Sequence, residues 1–190
     1  MKKSVQQAFT LLALVFATAC GSDDSIKQAA DQSVEQFKAA GVQEDMRNDA
    51  LFAAEAASAS MLQVQLGEAA EGKAVSPEVK GLAQEMVTAH QSILNDLRDM
   101  AGRGNFVLPS TLGEAHHKVY QEVTDKSGIS FDLAYLRRIG DQNKELVERY
   151  EDMAKNGQVM ELKQYASKQV PLLQQHQQVL ERLQESLDDL

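Results

Sequence analysis

The chain has 190 residues, 43 % of them hydrophobic, with no tryptophan, three prolines, one cysteine and a formal charge of −9. Abundant Ala, Leu, Gln and Glu favour helices over strands, and a lone cysteine excludes an intramolecular disulfide framework. So acidic a chain is a poor match for nucleic acid or anionic lipid, and nucleic acid is not expected as a partner.

Lys2 and Lys3, an apolar run from Leu11 to Phe16, and the small residues Ala17, Thr18 and Ala19 form the pattern of an export signal peptide over residues 1–19. That run is well short of the roughly 20 residues a membrane-spanning helix needs. Cys20 follows the small triplet directly, as in a bacterial lipoprotein whose cysteine is diacylated and becomes the first residue. Ordinary cleavage after Ala17-Thr18-Ala19 also satisfies the pattern, and Ala17 stands where a lipobox has leucine. Ordinary cleavage, however, would leave an unpaired thiol in an oxidising compartment. Lipid anchoring at the periplasmic face of the outer membrane is therefore expected, with a soluble periplasmic or secreted protein as the alternative. Loss of the two lysines takes the formal charge to −11 and leaves about 170 residues, enough for one domain with a sizeable core. In residues 20–45, Ile26, Val34 and Phe37 are too sparse for a good stripe, so a lipidated N-terminus and a polar, partly helical tether are expected.

A helical domain is expected over 46–190. Asn48 or Asp45 can cap a first long helix running to about Gly72, with Phe52, Ala56, Ala59, Leu66 and Ala70 on one line. Ser76-Pro77-Glu78 is a strong start signal for a second, whose stripe is Val79, Ala83, Met86, Ile93, Leu97 and Met100 and whose end is marked by Gly102 and Gly104. Thr111 and Glu114 suggest a capping box for a short helix to about Lys126. Ser127-Gly128 precedes a third long helix, with Ser130 as cap, Asp132 favourable to the helix dipole, and Leu136, Ile139, Leu146, Tyr150 and Met153 as its stripe. Glu145 and Arg149 are spaced for an i,i+4 pair on its outer face. Asn156-Gly157 stops it. A fourth helix follows from about Gln158 to Leu187 on Leu162, Ala166, Leu173, Leu180, Leu183 and Leu187, with a kink or break expected near 167–171 because Pro171 lacks a backbone donor. The whole reads as an all-α four-helix bundle of two helical hairpins, with a short extra helix in the connection between them.

Each apolar stripe is interrupted once, by Gln63, His90, Asn143 and His176 in turn. Burying such a group unpaired costs roughly 1–3 kcal/mol, so four interruptions in register point to one shared interior site.

From Phe52 to about Leu183 the chain resembles the DUF4142 family, a bacterial family of unassigned function grouped with ferritin-like four-helix folds and usually exported. The resemblance is carried by Gln63-Val64-Gln65-Leu66-Gly67, Met86-Val87-Thr88-Ala89-His90, Phe131-Asp132-Leu133-Ala134-Tyr135, and Pro171 followed by His176. It implies a glutamate at Gln63, an aspartate at Ala89 and a histidine at Asn143, so three ligand-like positions are weakened here. Ferritin-like di-metal centres also use Glu-x-x-His pairs, whereas Val87 and Leu173 stand three residues before His90 and His176.

His90 and His176, with water or one carboxylate, can still hold a single zinc, copper or nickel ion. The plainer reading is a hydrogen-bonded His, Gln and Asn network that fixes helix register. Tyr135, Tyr150 and Tyr165 are read as core residues with tips near water, and Met61, Met86, Met100, Met153 and Met160 as core filler. His116 and His117 point about 100 degrees apart and are not expected to share a metal. With no phosphate loop, serine elbow or cysteine nucleophile in the mature domain, no catalysis is evident. The expectation is a binding or structural protein of the cell envelope, held to a membrane by its lipid and open to an envelope protein partner. Its alternative is a metal-binding or redox protein built on His90 and His176 with a divalent metal.

Overall fold

The computed structural model describes residues 24–42 and 45–188. The expected export signal, Cys20 and the side chain of Leu187 lie outside the described residues. Six helices follow one another: α1 (Ser25–Ala39), α2 (Arg47–Lys73), α3 (Pro77–Gly104), α4 (Glu114–Thr124), α5 (Ile129–Asn156) and α6 (Met160–Asp188). The described residues include no strand, and none of their helices is long and apolar enough to cross a membrane.

The fold is all-α. The long helices α2 and α3 pack along each other across a short turn, and α5 and α6 do the same. The two hairpins meet through α2 against α5 and α3 against α6, while α4 lies on α2 and α5. Sequence punctuation explains most boundaries. Ser76 Oγ accepts the Val79 N–H at 3.3 Å, with Pro77 in the first turn of α3. That helix closes on Asn105, whose φ of 57° is left-handed, a conformation asparagine tolerates better than most residues. Close approach of α2 and α3 depends on Gly67, where a Cβ would sit 2.9 Å from the Ala83 carbonyl oxygen and against Val87.

Several expectations are corrected. Residues 25–39 are not a free polar tether, because α1 docks on α2 and buries Ala29, Ala30, Ser33 and Phe37. Its stripe works because small alanines let the helix lie close to the alanine-rich face of α2. Ser33 secures it, with Oγ accepting the Val107 N–H at 2.8 Å while its hydroxyl lies 2.9 Å from the Ala29 carbonyl and 3.3 Å from that of Val107. The break expected near 167–171 does not occur, for α6 runs through Pro171. Pro171 and Ser167, four residues earlier, are both exposed, so water can serve the carbonyl left without a helical donor.

Neither the Thr111 nor the Ser130 cap forms. α4 starts after Gly113, and its Glu114 N–H is taken at 2.9 Å by Asp24 from far along the chain. α5 starts after Gly128, leaving Ser130 exposed inside the helix. At the start of α2, Asp45 Oδ1 accepts the Arg47 N–H at 3.1 Å, although Met46 is the formal cap. Arg149 reaches across to Glu55 of α2, at 2.8 Å, instead of back to Glu145.

Buried carboxylates brace both hairpin turns. Asp132 does not simply favour its own helix dipole, for it is fully buried and accepts the backbone N–H groups of Val75 at 3.2 Å and Ser76 at 2.8 Å. Asp49, in the first turn of α2, does the same for the other hairpin, with Oδ2 accepting from Gln158 N–H at 2.9 Å and Val159 N–H at 2.8 Å. Each hairpin thus supplies the acid that holds the other hairpin's turn.

Candidate functional site

The buried apolar side chains fall into two clusters. One contains Ala59, Ile93, Leu146 and Leu173, and the other Leu66, Met86, Ile139 and Leu180. On each of the four long helices the residue between these neighbours is the polar one: Gln63, His90, Asn143 or His176. A polar layer therefore crosses the middle of the interior and separates the two halves of the core. Helical registry produces it, since each polar residue lies three or four positions from an apolar neighbour on either side and shares their inward face.

Gln63, His90 and Asn143 are fully buried, and His176 retains 8 % exposure. The His90 and His176 rings are neighbours in the layer, with centroids 5.8 Å apart and planes inclined by 39°. Burial, and secondarily the neighbouring His176, pushes the His90 pKa from the ordinary 6.5 down to about 3. Burial also lowers that of His176, against the opposing pull of the Glu85 carboxylate. Both rings are thus held as neutral imidazoles at neutral pH, each with a nitrogen lone pair to offer.

The hydrogen-bonded His, Gln and Asn network expected from the sequence is not what these residues form. Asn143 Nδ2 donates to the Leu173 carbonyl at 2.9 Å and to Gln177 Oε1 at 3.0 Å, so α6 takes its donors and none is left for His90. Both polar atoms of Gln63, both ring nitrogens of His90, Asn143 Oδ1 and His176 Nδ1 have no hydrogen-bond partner within the protein. The Tyr135 hydroxyl is likewise buried without one.

The remaining sequence candidates are structural. Phe131 stacks near Tyr135, ring centroids 5.9 Å apart, in the half of the core next to Asp132. Tyrosine tips do not reach water here: the hydroxyls of Tyr150 and Tyr165 lie 2.9 Å apart, and Tyr165 donates to the Ile93 carbonyl at 3.3 Å. Met86, Met100 and Met153 fill the core, whereas Met160 is 59 % exposed at the start of α6 and fills nothing. Among the described residues, no three His, Cys, Asp or Glu side chains group as a metal site.

Two features escaped sequence reasoning. Asp49 carried only the signal of an acid in a first helical turn, and its amide partners are more than a hundred residues away. Ser58 Oγ accepts the Gly113 N–H at 2.8 Å and lies 2.7 Å from His116 Nδ1. The hydroxyl thus joins the Gly113 backbone and the His116 ring. This pair has the look of a nucleophile and base, but Ser58 is fully buried and gives no approach to a substrate. Its work is to fasten α4 to α2. A surface groove of about 610 Å3 lies alongside, lined by Phe52, Glu55, His116, Arg149 and Tyr150 among others, and includes none of the four layer residues.

The family described as a domain of unknown function (DUF4142) matches residues 34–183, from within α1 to near the end of α6. Comparison with curated proteins and with solved structures finds no match.

Proposed function

Because the chain belongs to the DUF4142 family, whose function is unknown, we propose its role from its own residues: a cell-envelope binding module without turnover chemistry, whose site is the interior polar layer. The reading takes α2, α3, α5 and α6 as a ferritin-like four-helix bundle. It takes residues 1–19 as a signal peptide and Cys20 as the lipid-bearing residue that holds the bundle at the periplasmic face of the outer membrane. Lys2, Lys3, the Leu11–Phe16 run and the small residues before Cys20 support that placement.

One observation carries the binding role. Gln63 and His90 are fully buried with every side-chain polar atom unpartnered inside the protein. A buried polar group left so costs about 1–3 kcal/mol, and an apolar residue of similar shape would avoid that cost. Groups retained under those terms are suited to a guest that pairs with them. Turnover is not part of the reading.

Native mass spectrometry of the full chain, purified gently from membranes, tests it. A mass above that of the acylated polypeptide, absent from His90→Leu protein, is expected. A mass equal to polypeptide plus lipid, with no guest under any condition, overturns the reading. The same spectra report on Cys20, whose acylation should disappear, with release of the protein from membranes, in Cys20→Ser.

A further inference from the structure

We infer that the guest of this layer is a single transition-metal ion of the zinc or copper class, held by His90 and His176 and completed by the amide oxygens of Gln63 and Asn143. The inference rests on the binding reading above and names the ligand of that site.

Geometry comes first. Two imidazoles sharing one ion, each about 2.0–2.1 Å from it, place their ring centroids roughly 5–6 Å apart. Those of His90 and His176 are 5.8 Å apart. Their lone pairs are free, since neither nitrogen of His90 nor Nδ1 of His176 is engaged by the protein. Asn143 is oriented for the same purpose: its amide nitrogen is committed to Leu173 and Gln177 on α6, which leaves Oδ1 as an unengaged acceptor in the layer. Gln63 Oε1 is likewise unengaged and buried, on the helix opposite α6 across the interior.

Ligand chemistry then selects the ion. The set is two nitrogens and two amide oxygens, all neutral. Calcium and magnesium draw on carboxylate oxygens, usually several, and the acids that are buried among the described residues, Asp49 and Asp132, are committed to the hairpin turns. Imidazole nitrogen instead suits zinc, copper and nickel. A bridged pair of ions is disfavoured for the same reason, because among the described residues no carboxylate groups with the two histidines as a metal site. Access is one-sided. His90 is sealed while His176 keeps some exposure, and the exposed Glu85 carboxylate on α3 lies near enough to His176 to act on its charge. An ion would pass Glu85 and His176 before reaching His90, and that acid would offset part of its charge.

Full-length protein in detergent, stripped with chelator, is titrated with zinc(II) and with copper(I) against a competing chelator, and with cobalt(II) as a visible-absorbance reporter. One ion per chain is expected. His90→Gln and His176→Gln should each weaken binding at least about 100-fold, and Gln63→Leu about 10-fold, in the range that loss of shell groups produces. His116→Gln and His117→Gln should bind as the parent does. Helical circular dichroism of each variant separates lost ligation from lost folding, and His176→Gln, at the more open edge, guards against a His90 variant that fails to fold. Binding unchanged in folded His90→Gln and His176→Gln, or no stoichiometric binding of any of the three ions, overturns the inference. A mass excess that survives chelation overturns the metal alone and leaves the binding reading standing, whereas no guest at all removes both.

Discussion

Buried polar groups at the two ends of the long helices contrast with those in the middle. At the hairpin turns, Asp49 and Asp132 are as deeply buried as anything in the layer, yet each receives two backbone amides across hydrogen bonds of 2.8 to 3.2 Å. In the layer, Gln63 and His90 receive none. Equal burial therefore has opposite consequences. A carboxylate that satisfies a turn is a structural device, because removing it leaves buried amides unpaired, whereas an imidazole with both nitrogens free contributes nothing to folding and is available to something else.

The largest effect should come from the ends. Asp132→Ala or Asp49→Ala each deletes two charge-assisted bonds, worth roughly 1.5–3 kcal/mol apiece, and should cost about 3–5 kcal/mol in urea unfolding. A loss below about 1 kcal/mol would mean that the turns hold themselves and that the contrast with the layer is false.

Next comes acid. Folded His90 takes up its proton only near pH 3, against 6.5 ordinarily. Between those values the unfolded chain binds the extra proton, so stability falls as pH drops, by up to roughly 1.4 kcal/mol per pH unit, and above 6.5 the group is neutral in both states and the effect vanishes. Unfolding of chelator-stripped protein measured across that window should flatten in His90→Leu, and an identical acid limb would assign the effect to other groups.

Gly67→Ala should be smaller, about 1–3 kcal/mol, from a methyl pressed on the Ala83 carbonyl and Val87. It lies between layer and turn, so ion binding by the folded variant should not change. Smallest, and opposite in sign, is His90→Leu at neutral pH in stripped protein, which should leave stability unchanged or raise it by up to about 2 kcal/mol. A cost as large as that of Asp132→Ala would make the layer a structural element after all.

Much of this was legible in the amino-acid order because it depends on neighbours along one helix. Periodicity alone placed the four long helices and put Gln63, His90, Asn143 and His176 on their inward faces. Ser76-Pro77 marked the start of α3 and Gly157 the end of α5. What failed depended on partners distant in sequence. The stripe of α1 looked too poor to dock, since its quality is set by the small-residue face of α2 that receives it. Thr111 was a reasonable cap, but Asp24 is the residue delivered to that site.

Composition and spacing, then, determined an acidic all-α chain and the inward direction of the four polar residues, because side-chain direction on a helix follows from its 3.6-residue period. Whether those residues would pair with one another was never a local matter. Only the packing of α6 against α5 drew the Asn143 amide to Leu173 and Gln177, and only the packing of α3 against α6 brought the two imidazoles to 5.8 Å between ring centroids. Hydrogen bonding is short-ranged and directional, so which donors meet which acceptors is settled when the helices come together.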